Sequence, residues 1–473
     1  MNPKKPQEKE NSRLTTGIKI FYGSGDLVAG LAFNTLNFFY LYFLNTVVGM
    51  PAVLAGLVLL IGRAWDGVMD PVMGMVVDST TSRLGKHRFW MLVALLPFSL
   101  TFILLWMRFP GSQWGQFAIY SVLFLLFSTA FTMYNIPYGS MTADLTHDYN
   151  ERTGLTAVRM VFSLFAMIIG AGATQLLAGV HRIGYTGMAG IYGIAMLGAG
   201  LTVVFATRGR DTVIVRPEGV HLSIWKDTFK NRPFVLLVSS YLLLTIATTG
   251  VSGIFVYFVK YNLKLTEDFQ SSLIMGVLVL SSIAALPLWA WVSRISSKKI
   301  ALFSGMAVFA LGLVVLSRIG FSQGRVWFYA CAVFTGAGLS SFFIVLWSMI
   351  PDVVEYGQLQ TGNRHEGVYY GLWFFVQKLG MALSAALNGA VLSVTGFRQS
   401  GGGVMLQQTP GALGGIGALL SALPLAFIAA GLFILAFYPI NAQKHAEIRN
   451  RLRVSALTET NTVVAATGGE NVL

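Results

Sequence analysis

Twelve apolar runs, each long enough to cross a bilayer, follow one another along this chain of 473 residues. They fall at 18–46, 53–76, 89–108, 114–141, 155–180, 187–207, 234–261, 268–293, 300–319, 325–350, 366–396 and 411–440, separated by charged or Gly/Pro-rich breaks. A spanning helix needs about 20 mainly apolar residues, because in lipid every backbone polar group must be satisfied within the segment. The pattern predicts an all-α membrane protein with twelve transmembrane helices. Composition agrees, with 55% of residues hydrophobic and 11% charged, against about 25% charged in an ordinary soluble domain. The first run is too long for the apolar core of a signal peptide and lacks a small-residue cleavage site, so it is expected to be retained.

An even number of spans places both termini on one side, and the basic residues say which. With the N-terminus inside, 23 of the 33 Lys and Arg fall in cytoplasmic segments, 7 on the opposite face and three within spans. This positive-inside asymmetry predicts an inner (cytoplasmic) membrane protein with cytoplasmic termini. It also accounts for the net charge of +13 without a nucleic-acid partner. Cys331 is the single cysteine, which excludes an intramolecular disulfide and cysteine-ligated metals.

The longest interior break follows the sixth run and divides the chain. The expected organisation is a cytoplasmic tail at 1–17, an N-terminal six-helix bundle at 18–207, a cytoplasmic loop at 208–233, a C-terminal six-helix bundle at 234–440 and a disordered cytoplasmic tail at 441–473. An internal repeat supports two halves. GMVVDSTTSRLGKHR follows the second run, and a degenerate counterpart, VSRISSKK, follows the eighth.

Six charged residues lie well inside the runs, clear of their ends: Asp26, Arg63, Asp66, Asp70, Arg159 and Lys378. Each costs about 2.5–3.5 kcal/mol at a helix centre, so together they oppose insertion by about 15–20 kcal/mol before pairing. Handling of a solute or ion explains such a set better than helix packing does. In Arg63-Ala-Trp65-Asp66-Gly-Val-Met-Asp70-Pro71, helical spacing puts both carboxylates and the guanidinium on one face. Two adjacent carboxylates repel when ionised, so the pair either takes up a proton or holds a small cation, and carboxylate oxygens suit Na⁺ or Li⁺. Arg63 is the counter-charge.

Other spans add polar positions. Asp26, Gly30, Asn34 and Asn37 form a stripe along the first, and Thr132, Tyr134, Asn135 and Tyr138 surround Pro137 in the fourth. Thr132 and Asn135 are assigned with Asp66 and Asp70 to the cation, although an interhelical hydrogen bond explains Asn135 equally well. Asn34 and Tyr138 are assigned to the solute. In the eleventh run Tyr370, Trp373 and Gln377 share a face beside Lys378; Trp373 and Lys378 are assigned to the solute, with packing the competing explanation for the aromatics. The basic loop carrying Asp78, Arg83, Lys86 and Arg88 is either a topology signal or a gate in which Asp78 exchanges basic partners.

GRAWDGVMDPVMGMVVDSTTSRLGKHRFW, the IPYG that follows Asn135, LTAVRMVFS around Arg159 and PDVVEYGQLQTGNRHEGVYYGLWFFVQKLG together resemble the glycoside–pentoside–hexuronide:cation symporters, the melibiose permease branch of the major facilitator superfamily. The resemblance implies a major facilitator fold of two six-helix halves and secondary active symport. It implies that Asp66 and Asp70 hold the coupling cation, that Asp26 and Arg159 contact the sugar, and that Lys378 links the ion site to the eleventh helix. Melibiose permease has an acid at Asn135, a Trp at Gly139 and a Lys at Gly25, so melibiose itself is not the expected solute. Animal sodium-dependent lysolipid transporters share the GRAWD…DP pattern, which makes a lysolipid or other amphiphile the alternative cargo.

The expectation is therefore a transporter, functional as a monomer, that couples a sugar-like small molecule to Na⁺, Li⁺ or H⁺ with no cofactor and no other metal. An enzyme would need a nucleophile–base pair or metal cluster within the spans. Instead, all six His (His87, His147, His181, His221, His365, His445) lie in or near loops and tails.

Overall fold

The computed structural model describes residues 14–146, 149–179, 183–210, 228–265, 268–318, 325–362, 366–399, 406–441, 443–452 and 454. Among them twelve helices are long and apolar enough to cross a membrane. They are Thr16–Val48, Ala52–Ser79, Lys86–Leu105, Gln113–Thr142, Gly154–Gly179, Gly184–Ala206, Arg232–Asn262, Ser272–Ile295, Lys298–Arg318, Val326–Thr361, Gly367–Val394 and Pro410–Ala436, taken below as the first to twelfth spans. Each coincides with one apolar run, and no strand occurs among the described residues. Large apolar side chains stand exposed along them, Phe165, Leu311 and Phe433 among others, as lipid-facing surfaces require.

Two segments depart from the sequence reading. The tenth helix continues through Pro351 to Thr361. Proline removes one N–H and crowds the preceding turn, but Lys298 donates to the nearby Ser348 carbonyl at 2.7 Å and to Asp352, so the turn stays held. In the tail, expected to be disordered from 441, residues 443–452 are helical. Lys444, Glu447 and Arg451 pair at helical spacing, and His445 Nε2 lies 3.0 Å from Glu355 on the tenth span. The polar composition of this stretch encodes a charged helix. The tail residues 453 and 455–473, the loop residues 211–227 and the N-terminal residues 1–13 lie outside the described residues.

The chain forms two compact units. The first comprises Met1–Glu218, Ser252–Val279 and Ala385–Ile416. Its second and fourth spans touch because Gly62 has no side chain: a Cβ there would sit 1.7 Å from Phe124. The segments from the later part of the chain join it through equally close contacts. A Cβ on Gly389 would fall 2.3 Å from the Ala52 carbonyl, and the buried Tyr257 hydroxyl donates to Asn45 at 2.7 Å.

The second unit comprises Gly219–Val251, Leu280–Ser384 and Gly417–Leu473. Trp289 reaches from the eighth span to donate to Ala337 O at 2.6 Å. Asn231 caps the start of the seventh span and donates to Val353 O and Tyr369 Oη, both at 2.9 Å.

Candidate transport site

Asp26 lies in the first span just past a break at Ser24, and Arg159 lies in the fifth. Their side chains meet twice: Arg159 Nε is 2.7 Å from Asp26 Oδ2 and Nη2 is 3.2 Å from Oδ1. This fork-on-carboxylate geometry is the strong form of an ion pair. The fourth span completes it. Arg159 Nη1 donates to Thr142 Oγ1 at 2.6 Å, and the guanidinium lies 4.6 Å from the centroid of the Tyr138 ring. The Tyr138 hydroxyl stands 2.7 Å from Asp26 Oδ2 and 3.0 Å from Tyr22 O. One phenolic proton serves only one acceptor at a time, so this hydroxyl can switch partners. Both charged side chains keep 20% of their surface accessible. Gly25 makes room for the arrangement, since a Cβ there would lie 2.3 Å from Tyr138.

The second cluster joins the second and fourth spans. Arg63 Nη1 is 3.7 Å from Asp66 Oδ2, beyond hydrogen-bond range, and the guanidinium lies 5.0 Å over the Phe33 ring. Arg63 and Asp66 are almost wholly buried, while Asp70 is half-buried and accepts from Thr132 Oγ1 at 3.0 Å. The two carboxylates are one turn apart with a hydroxyl beside them, a set of hard oxygens of the kind a small monovalent cation takes. The fourth span serves both clusters. Thr132 touches Asp70 and Tyr138 touches Asp26, six residues later, about 9 Å along the axis at 1.5 Å per residue.

The remaining predicted residues separate. Asn135 is half-buried and makes no side-chain hydrogen bond among the described residues. Asn34 donates back to Gly30 O on its own helix at 2.8 Å. Trp373, in the second unit, is fully buried and stacks on Tyr241 with centroids 3.6 Å apart, so its ring is used in packing. Lys378 is half-buried in the same unit. In the basic loop Asp78 pairs with Lys86 at 3.5 Å, and Arg83 is exposed. Arg88 is tied to Val204 O at 2.8 Å and Leu84 O at 3.0 Å, which anchors the third span to the end of the sixth. Sequence reading missed Tyr22, Thr142 and Phe33. Tyr22 is one turn before Asp26 and Thr142 one turn after Tyr138, so helical spacing was an available signal.

The profile of the MFS/sugar transport protein family matches residues 21–442. The chain belongs to this family. It has the major facilitator fold and the symporter character of the glycoside–pentoside–hexuronide group. The glucuronide carrier protein homolog of Escherichia coli is 28% identical over 93% of this chain and 95% of its own. The sodium-dependent lysophosphatidylcholine symporter 1-A of Danio rerio is 27% identical over 93% and 89%. Among solved structures, a bacterial homolog of the human lysosomal transporter Spinster superposes with a TM-score of 0.67 over 95% of this chain and 99% of its own, at 11% identity. This family member is thus an integral membrane transporter of small-molecule solutes.

Proposed function

We propose that the protein carries a glycoside or sugar acid by cation-coupled symport and alternating access, in an inner membrane. The observation that supports this most is the fourth span, which holds one residue on each cluster. A sugar hydroxyl that donates to Asp26 and accepts from Arg159 replaces the bond from Tyr138, whose hydroxyl then turns to Tyr22 O 3.0 Å away. The buried rings of Tyr22 and Tyr138 lie under the guanidinium and hold it in place. A monovalent cation between Asp66 and Asp70 relieves carboxylate repulsion and turns the Thr132 hydroxyl so that its oxygen faces the ion. Each event acts on the same helix, so each favours the other, and the coupling is reciprocal.

A second reading, an amphiphile such as a lysolipid as cargo, is favoured by the Danio rerio relative and by Phe374 and Phe375, both exposed on the eleventh span. Uptake into proteoliposomes under imposed Na⁺, Li⁺ or H⁺ gradients, with hexuronides, glycosides and lysolipids compared, tests both. Gradient-driven accumulation of a hexuronide or glycoside supports the first reading, and accumulation of lysolipid alone replaces it with the second.

A further inference from the structure

The second unit holds an ionic cluster of its own. Lys298, at the start of the ninth span, donates to the two oxygens of Asp352 at 2.8 and 2.7 Å and to Ser348 O at 2.7 Å. His445, in the tail helix at 443–452, reaches the same place: its Nε2 lies 3.4 Å from Asp352 Oδ1 and 3.0 Å from Glu355 Oε2. Asp352 is buried, whereas the imidazole keeps 28% of its surface accessible and exchanges protons with water.

The helix that carries His445 is made to dock. Asn441 caps its start, with Oδ1 accepting from Lys444 N at 2.8 Å. His445, Ile448 and Leu452 share a face at helical spacing; Ile448 is 1% exposed and Leu452 half-buried. Lys444, Glu447 and Arg451 pair with one another along the neighbouring face, and Arg449 is exposed. A helix this short is marginal in water alone, so its place depends on the contacts of the face that carries His445.

Those contacts depend on charge. With a neutral imidazole, two carboxylates face the Lys298 ammonium alone; with an imidazolium, the four groups balance, and the 3.0 Å contact to Glu355 becomes a charge-assisted hydrogen bond. Among the other described ionisable groups around the site, Lys444 is engaged by Glu447 at 2.9 Å, and Lys299 donates to Ala436 O. Tyr356, half-buried beside Glu355, and Tyr438 are phenols, groups that ionise near pH 10, and burial together with Asp352 pushes Tyr438 higher still. Histidine is the residue type whose charge ordinarily changes between about pH 5 and 8.

We propose that residues 443–452 form a pH-dependent clasp, docked on the end of the tenth span when His445 is protonated and loosened when it is neutral. A docked state that prefers the imidazolium binds more protons than the undocked one, so docking strengthens as pH falls and weakens as pH rises. With Lys298, the docked clasp ties the tail and the ninth span to the turns of the tenth span around Pro351.

The test is a spin-label distance measurement on the full chain in nanodiscs, labelled at positions 360 and 450 (Cys331→Ser, Gln360→Cys, Asn450→Cys), both exposed. Adding Ile448→Asp removes the buried anchor and supplies the undocked distribution. Without it, a narrow docked distance is expected at about pH 5.5, and a docked-to-undocked ratio severalfold lower at about pH 8.5. His445→Gln should give the same distribution at both pH values, and Glu355→Gln should shrink the response. A parent distribution that is unchanged between the two pH values overturns the proposal, whether it is the docked one or matches that of Ile448→Asp. So does a full pH response in His445→Gln or Glu355→Gln.

Discussion

Asp26 and Arg159 come from helices 133 residues apart and meet at 2.7 and 3.2 Å, with Thr142 and Tyr138 completing their hydrogen bonds. Arg63 and Asp66 come from one turn of one helix and stand 3.7 Å apart. The first pair is assembled by tertiary structure and is well satisfied. The second is dictated by local spacing and is loose, with a further carboxylate, Asp70, one turn on. A tight pair costs much to break and is suited to exchanging hydrogen bonds with hydroxyl groups. A loose, carboxylate-rich cluster has negative charge to offer a cation. In the proposed function the two tasks fall to these two clusters, which a single helix connects.

The largest effect is expected where the tight pair is broken from one side. Arg159→Ala leaves the Asp26 carboxylate in the membrane without its counter-charge, at a cost of about 3–5 kcal/mol. Thermal unfolding in detergent should show a large drop in Tm, and uptake should vanish. Asp26→Asn combined with Arg159→Gln removes both charges; it should recover most of the stability and none of the transport, which separates folding from solute recognition.

Neutralising the loose cluster should do the opposite. Asp66→Asn or Asp70→Asn relieves repulsion between the two carboxylates and keeps a side chain of the same shape, so the folded protein should persist while gradient-driven accumulation is lost. Solute binding in the absence of cation should remain near the parent's. Loss of folded protein in both variants would show that the two clusters do not differ as described.

These contrasts reflect what was legible before the structure. The twelve spans follow from run length and hydropathy, since each helix satisfies its own backbone in lipid. Asp66 and Asp70 were visible because one turn separates them. Asp26 and Arg159 were linked only through family resemblance, as no local rule relates residues so distant. Tyr22 and Thr142 stand one turn from Asp26 and Tyr138, a spacing that signals a shared helix face but not that Arg159 packs against it. Trp373 was ambiguous for the converse reason: an aromatic stripe looks the same whether it lines a cavity or stacks on Tyr241.

A smaller effect is expected at the joint between the clusters. Thr132→Val removes a hydroxyl bonded to Asp70 at 3.0 Å and replaces it with a methyl, a loss of about 1 kcal/mol. The cation concentration for half-maximal uptake should rise severalfold with little change in Tm.

The smallest concerns the N-terminal anchor, outside the spans. Burial works against ionisation of Glu151, but bonds from the Thr146 hydroxyl, the Leu14 N–H and Lys19 outweigh it and hold its carboxyl below the usual 4.5. A depressed acid stabilises the fold above its unfolded pKa, and that contribution is lost as pH falls through the folded value. Glu151→Gln should therefore lower Tm slightly near neutrality, flatten its decline below about pH 4.5 and leave uptake unchanged.

The account rests on the fourth span linking ion and solute, and linkage is measured most directly by calorimetric titration of the transported solute with and without saturating coupling cation. The cation should tighten solute binding in the parent, the solute should tighten cation binding by the same factor, and Asp70→Asn should abolish that factor while keeping the cation-free affinity. An Asp70→Asn protein with the parent's full enhancement, or a parent whose solute affinity is indifferent to the cation that drives its uptake, would contradict it.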